Sequence, residues 1–424
     1  MHWELVVVAL ILLGFAAISR RTEGTPITAP LVFTAAGLVV GVEALDLVGT
    51  EVTQHQVTLL AEATLTVVLF SDASRIDLAA LRRTLGIPVR LLGIGLPLTI
   101  LAGFLVALAV LGDLSWPEAL VVAIILAPTD AALGQAVVTS SRLPVRIRQS
   151  LNVESGLNDG ICVPFFFVAL AVALAEDGAI GEGVAVVLVV EKIGLGVLGG
   201  VVAGVAAAVV VVRAGRRRFI DDTWLQVVPL AGALLAFGLA EAIGGSGFIA
   251  AFIGGLVFGG LRRRRGGDVS YLMEQTGAVL AAITFVVFGA VVLSPALGEL
   301  SWQIALYAVL SLTLVRMVPV AVAMLGTGAR RPTVAFLGWF GPRGAASIVF
   351  ALLLLEEETL PGEAVILTTV FVTVGLSVLA HGVTAAPLAS RYAHWHDTRA
   401  AETPVESAAG DEQRWRLQRE REHA

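Results

Sequence analysis

PEALVVAIILAPTDAALGQAVVTS, residues 117–140, is an apolar run with Pro128, Thr129 and Asp130 near its middle. It is long enough to cross a hydrocarbon core of about 30 Å as a helix. Proline removes a backbone donor and releases carbonyls from the helical ladder. Broken helices of this kind expose carbonyls and helix ends that can hold a cation at the bilayer midplane. A plain proline kink is the competing reading, but a kink does not require an adjacent hydroxyl and carboxylate. The stretch therefore predicts an all-α membrane protein containing a discontinuous helix.

The rest of the chain agrees. Of its 424 residues 57% are hydrophobic and 15% charged, against about a quarter charged in a soluble domain, and the mean hydropathy is +0.88. About thirteen segments of spanning length are predicted, near 3–19, 26–42, 55–71, 87–111, 117–140, 147–175, 184–212, 223–243, 246–261, 272–293, 301–325, 332–355 and 363–390. The breaks after odd-numbered segments are all basic: Arg20 and Arg21; Arg75, Arg82 and Arg83; Arg142, Arg146 and Arg148; Arg213 and Arg216 to Arg218; Arg262 to Arg265; Arg330 and Arg331. Those after even-numbered segments hold Glu43, Asp46 and Glu51; Asp113 and Glu118; Asp177 and Glu182; almost nothing near Gly244; Glu299; and Glu356 to Glu358 with Glu363. None of these contains Lys or Arg. The positive-inside rule then places the N-terminus outside and the C-terminus in the cytoplasm. Residues 1–19 do not read as a signal peptide, since no basic residue precedes the apolar run and Arg20 and Arg21 follow it. The single cysteine, Cys162, excludes an internal disulfide and reads as a packing residue.

With segment seven as a linker, segments one to six and eight to thirteen form two six-helix halves. A shift of seven spans reverses orientation, which is the inverted-repeat plan of many secondary transporters. The tail from about Arg391 is polar and reads as helical or disordered, and no separate soluble regulatory domain is expected.

Charged groups inside spans cost about 2.5–3.5 kcal/mol each on insertion scales and are functional candidates by default. In segment six, Glu154 with Asn158 and Ser155 with Asp159 are i,i+4 pairs, so two acids, an amide and a hydroxyl converge on one side of the helix. Hard monovalent cations prefer such oxygen ligands. A structural polar cluster is the bland alternative. Segment twelve carries Gly-Pro-Arg-Gly at 341–344, a second break, at the position equivalent to segment five. Arg343 needs an anionic partner there. Glu154 is the first candidate and Asp130 the second. Asp72 reads equally as part of the ion path or as an interfacial anion near Arg75. Arg316 and the neighbours Glu191 and Lys192 read as structural ion pairs, Glu241 as an outer interfacial acid, and His381 as a satisfied structural histidine. The glycines of segments seven and nine read as close-packing positions.

Ala-Pro-Thr-Asp at 127–130, Glu-Ser-Gly-Leu-Asn-Asp-Gly at 154–160, Gly-Gly-Ser-Gly-Phe at 244–248 and Gly-Pro-Arg-Gly at 341–344, in this order, resemble the sodium/proton exchangers of the monovalent cation/proton antiporter class, NhaP type. The resemblance covers nearly the whole membrane part. It implies a homodimer in which a core domain with two crossed, interrupted helices moves against a dimerisation domain. On that plan residues 1–390 form the membrane transport domain. Its core helices lie near 87–175 and 301–390, its dimerisation helices near 3–71 and 223–293 and its linker helix near 184–212, and 391–424 is a short cytoplasmic tail. It also implies that Asp159 binds the ion or the proton, with Thr129 and Ser155 as ligands to Na⁺ and Asp130 beside them, and it favours the pairing of Glu154 with Arg343. Asn158 aligns the chain with the electroneutral, Asn-Asp subgroup. One departure stands out: family members often carry glutamate directly after the phenylalanine ending segment three, whereas Phe70 is followed here by Ser71 and Asp72.

The expected function is secondary active exchange of Na⁺, or Li⁺ or K⁺, for H⁺ across the plasma (inner) membrane. Proton and cation compete for Asp159, and no bound cofactor and no nucleic acid take part. A sodium-coupled solute symporter is the alternative. An intramembrane enzyme built on Ser155 or His381 is disfavoured because no base and orienting group accompany either residue.

Overall fold

The computed structural model describes residues 2–22, 25–41, 44, 45, 47, 54–76, 86–134, 137, 140, 142–178, 181–217, 219–262, 269–357 and 360–399. Glu43, Asp46, Glu51, Arg82, Arg83, Arg218, Arg263 to Arg265, Glu358 and the tail from residue 400 lie outside the described residues.

Every regular element among the described residues is helical, and each of the thirteen predicted segments is present. The helices are α1 (His2–Thr22), α2 (Ala29–Val40), α3 (Gln54–Arg75), α4 (Ile87–Val110), α5 (Trp116–Ile125), α6 (Val145–Glu176), α7 (Glu182–Arg216), α8 (Asp222–Ala242) and α9 (Gly247–Arg262). They continue with α10 (Tyr271–Gly298), α11 (Trp302–Ala323), α12 (Arg331–Trp339), α13 (Ala345–Glu357) and α14 (Glu363–Arg399). Among the described residues nine are long and apolar enough to span a membrane, and α2, α5, α9 and α13 are shorter apolar helices.

Local sequence explains the ends. Pro30, Pro117 and Pro332 occupy first turns, where a missing N–H costs nothing. Asp221 accepts from the N–H groups of Thr223 and Trp224 at the start of α8. Glu241 accepts from Gly247 N at 2.8 Å and so caps α9.

Two helix groups are visible. In one, α9 lies between α3 and α7, and α2, α8 and α10 pack around them; in the other, α5 packs on α4, α6 and α14, while α11 joins α4 to α14 and α13 packs on α5 and α14. Small residues set the spacing of the first group: a Cβ on Gly200 would run into the carbonyl of Ala250, and one on Gly255 into that of Phe70. The predicted close-packing role of the segment seven and nine glycines is thereby seen in contact.

The repeat is legible in the irregularities. Segments five and twelve, equivalent under a shift of seven, are both interrupted: α5 stops at Ile125, and extended residues separate α12 from α13. The segments that follow them, α6 and α14, are both long and both contain proline, Pro164 and Pro387. Two boundaries differ from expectation. In segment five the first helix ends at Ile125, since Pro128 cannot continue the ladder. The last helix runs on to Arg399, past the expected start of the tail, because Tyr392 packs at 4.3 Å between ring centroids against Phe336 of α12.

Candidate functional site

The two interruptions cross. Asp130 N donates to the carbonyl of Pro342 at 2.8 Å, tying one extended stretch to the other. Each break leaves a helix end without partners, and side chains from the opposite break supply them. The carbonyls freed at the end of α5 are taken by the opposite segment: Ser347 Oγ donates to Ile125 O at 2.7 Å, and Arg343 Nη1 donates to Ala127 O at 2.8 Å and to Pro128 O at 3.3 Å. Conversely, Asp130 Oδ2 accepts from Ala345 N at 3.0 Å, at the start of α13, and its Oδ1 accepts from Ala132 N at 2.7 Å. A cation thus sits at a helix C-terminus and an anion at a helix N-terminus, each the favourable sign for the helix dipole. Gly344 permits this approach, since a Cβ there would collide with the Asp130 carboxylate.

The predicted partnership of Arg343 with Glu154 is not what the structure contains. Glu154 is held by Arg316 in a two-point ion pair, Nη1–Oε1 2.6 Å and Nη2–Oε2 2.9 Å. Both side chains are 2% exposed. Arg343 is satisfied in part by released carbonyls instead, while its Nε and Nη2 are buried without a hydrogen bond. The second candidate partner, Asp130, likewise binds backbone N–H groups and not the guanidinium. Arg316 is the structural ion-pair residue it was read as.

On α6 the polar cluster grips the unwound strand. Asn158 Nδ2 donates to Thr129 Oγ1 at 2.7 Å and its Oδ1 accepts from Thr129 N at 3.3 Å. Ser155 Oγ donates to Thr129 O at 2.7 Å and accepts from Ala131 N at 2.8 Å. An amide suits position 158 because it donates and accepts at once. Thr129, Ser155 and Asn158 are therefore brought together, and their first task is to fix the extended backbone.

Asp159 differs from all of these. It is 7% exposed, and its Oδ1 is buried with no hydrogen bond. It lines a cavity of about 870 Å³ together with Asp72, Asp130, Ser155, Asn152, Gln149, Arg148, Arg75 and Glu274. The cavity reaches the arginine-bearing end of the bundle, where Arg75 is half exposed and lies 3.6 Å from Glu274. Asp72 faces into the cavity opposite Gly156, whose Cβ would come within 3.1 Å of Asp72 Cβ. Its neighbour Arg75 is drawn to Glu274 and acts on Asp72 through space as well.

The remaining candidates take structural places. His381 Nε2 lies 2.9 Å from Trp339 O and Nδ1 3.2 Å from Ser377 Oγ, which a neutral ring satisfies as donor and acceptor. Lys192 lies over the Phe167 ring, 5.8 Å from its centroid, and Glu191 is exposed. Cys162 is buried. Among residues that sequence reasoning left out, Glu118 is buried and joins two connections, accepting from Ser115 N at 2.8 Å and from Gly362 N at 2.6 Å. The signal for it was the Ser115-x-x-Glu118 spacing of a capping box.

Residues 6–391 match the family model described as "Sodium/hydrogen exchanger, transmembrane". The chain belongs to this family. Among its relatives, the K(+)/H(+) antiporter NhaP of Alkalimonas amylolytica is 27% identical over 391 residues, covering 91% of this chain and 66% of the relative. A Na(+)/H(+) antiporter of Schizosaccharomyces pombe is 26% identical over 298 residues, covering 64% of this chain and 61% of its own length. The chain thus spans somewhat under two thirds of the length of the curated relatives it matches. In fold it is similar to the sodium proton antiporter MjNhaP1 from Methanocaldococcus jannaschii at pH 8. The TM-score is 0.74 with 20% identity, over 89% of this chain and 98% of that one.

Proposed function

We propose that this exchanger is a secondary transporter and not an enzyme. It carries a monovalent cation, Na⁺ or alternatively Li⁺ or K⁺, one way across the plasma (inner) membrane and a proton the other, without a cofactor. The observation that carries the reading is the Asp159 carboxyl. It is a buried acid with an unpartnered oxygen in a cavity that reaches the surface, whereas Glu154 is spoken for by Arg316 and Asp130 by the N-terminus of α13 and the N–H of Ala132. Either a proton or a cation neutralises Asp159, and only the neutralised site crosses the barrier, because a bare buried charge costs several kcal/mol. Ser155 and Thr129 complete the cation's oxygen shell with lone pairs left over from their bonds to backbone and to the Asn158 amide.

Alternating access follows from the two helix groups, with the crossed breaks of α5, α12 and α13 riding on α6 as a core and α1 to α3 with α8 to α10 forming the dimerisation scaffold of a homodimer. With the N-terminus outside, the cavity opens to the cytoplasm. Asn158 in place of a second acid supports one-for-one, electroneutral exchange. Relatives are named for potassium and for sodium, so the assay tests both. In proteoliposomes containing a pH-sensitive dye, an imposed Na⁺, K⁺ or Li⁺ gradient is expected to move protons with no organic solute present. Asp159→Asn is expected to abolish the response. Exchange surviving in that variant overturns the assignment.

A further inference from the structure

Glu118 makes one bond more than the start of a helix requires. Its contact with Ser115 N at 2.8 Å is the reciprocal bond of a capping box. The contact with Gly362 N at 2.6 Å is not, because Gly362 belongs to the other half of the repeat, immediately before α14. A carboxylate has acceptors for both donors and offers no donor of its own, and Glu118 is 4% exposed. The approach is built on glycine: a Cβ at position 362 would come within 2.9 Å of Glu118 Oε1 and run into Leu114. From this pin α5 and α14 run side by side toward the crossing. The first leads directly into the extended stretch that carries Thr129 and Asp130. The second reaches the other extended stretch through Ser377, about 21 Å further along α14, whose Oγ accepts from Arg343 N at 2.7 Å. The two stretches meet where Asp130 N donates to Pro342 O at 2.8 Å.

We infer that Glu118 is a positioning residue for the ion site, the pin that sets the register of α14 against α5 and, through Ser377, the register in which the two extended stretches cross. The inference rests on the exchange reading, in which Thr129, the residue before Asp130, lends an oxygen to the cation. The connections form a closed frame. Glu118 joins the starts of α5 and α14, and Asp130, Pro342, Arg343 and Ser377 join them again at the crossing. Apolar burial is non-directional, so the packing of α5 on α14 fixes their register less sharply than hydrogen bonds at both ends. When the pin is lost, a slide of α14 draws on the Arg343 backbone, then on Pro342 O, and so on the peptide between Thr129 and Asp130. Glu118 thus acts on a site that it does not touch.

The test reads amide hydrogen exchange and the half-saturating Na⁺ concentration of the full chain in proteoliposomes. Glu118→Ala removes cap and pin together. Gly362→Ala breaks the pin and leaves the cap, and it carries the test should Glu118→Ala fail to fold. In both variants amide exchange is expected to accelerate at Asp130 and Arg343, remote from either substitution. The half-saturating Na⁺ concentration is expected to rise up to about tenfold, the scale of one hydrogen bond lost at the site. Glu118→Gln, whose side-chain carbonyl still accepts from Gly362 N, is expected to recover much of both. Faster amide exchange confined to Ser115 and Gly362 makes Glu118 a local cap and overturns the inference, as does an unchanged half-saturating concentration when the crossing amides accelerate. Asp159→Asn separates the two readings. Cation exchange surviving in that variant sinks the exchange reading while the crossing amides still report the pin; cation exchange lost there, with Glu118→Ala and Gly362→Ala behaving like the parent, removes the pin and leaves the exchange site standing.

Discussion

Glu154 of α6 and Arg316 of α11 meet through both carboxylate oxygens and both terminal guanidinium nitrogens, at 2.6 and 2.9 Å, with neither side chain more than 2% exposed. This pair binds the helix that carries Asp159 to the helix before the second break. A cation of fixed charge and an acid are neutralised together, so neither competes with the transported ion.

Removing one member leaves the other as a buried charge. Glu154→Ala is expected to lower stability by about 3–5 kcal/mol, read as a lower unfolding midpoint in detergent. The double variant Glu154→Gln with Arg316→Met is expected to recover most of it. A single variant as stable as the parent contradicts the role given to the pair.

Asp130 serves two backbone donors with its two oxygens. Asp130→Asn turns an NH₂ toward one of them, an expected cost of about 1–3 kcal/mol. Amide exchange at Ala345 and Ala132 should accelerate, and transport should fall about tenfold or more as the crossing loosens. Protection unchanged at both amides would show that the carboxylate is not the cap.

Gly344→Ala puts a methyl where the Asp130 carboxylate lies. Overpacking of this kind costs about 1–3 kcal/mol, and the expected result is a folded protein with little exchange. Normal exchange in that variant would show that the two breaks separate more easily than their contact implies.

The one-for-one exchange proposed for Asp159 beside Asn158 moves one proton per cation carried. Turnover of the parent is expected to be equal at two clamped membrane potentials. Asn158→Asp keeps the Thr129 bonds by reversing the hydroxyl and adds a second titratable group, so its turnover is expected to become potential-dependent. Potential-dependent turnover in the parent would overturn electroneutrality.

Much of this site is written locally. Pro128 and Pro342 each announce a break, because a ring in place of an N–H disrupts a helix whatever surrounds it. The i,i+4 spacing from Ser155 to Asp159 likewise aligns those side chains on any helix. Partnership is another matter. Arg343 looked in most need of an acid, yet it stands where Pro128 releases carbonyls from the crossing segment, and those carbonyls accept its protons. Arg316 lies in an apolar segment that is itself interrupted at Thr313 and carries Pro319, and it takes Glu154. Nothing in the local sequence of the two segments separates these outcomes.

The sequence by itself determined the solvent, the number of spans and the places where helices break, since run length, charge and proline act over one or two turns. Only the tertiary structure decided which charge neutralises which, that Asn158 and Ser155 hold the Thr129 backbone, and that Asp159 keeps an oxygen unpartnered. Those outcomes depend on how helices far apart in the chain cross. A buried ion pair forms where geometry brings its members within about 4 Å, and no local pattern encodes that distance.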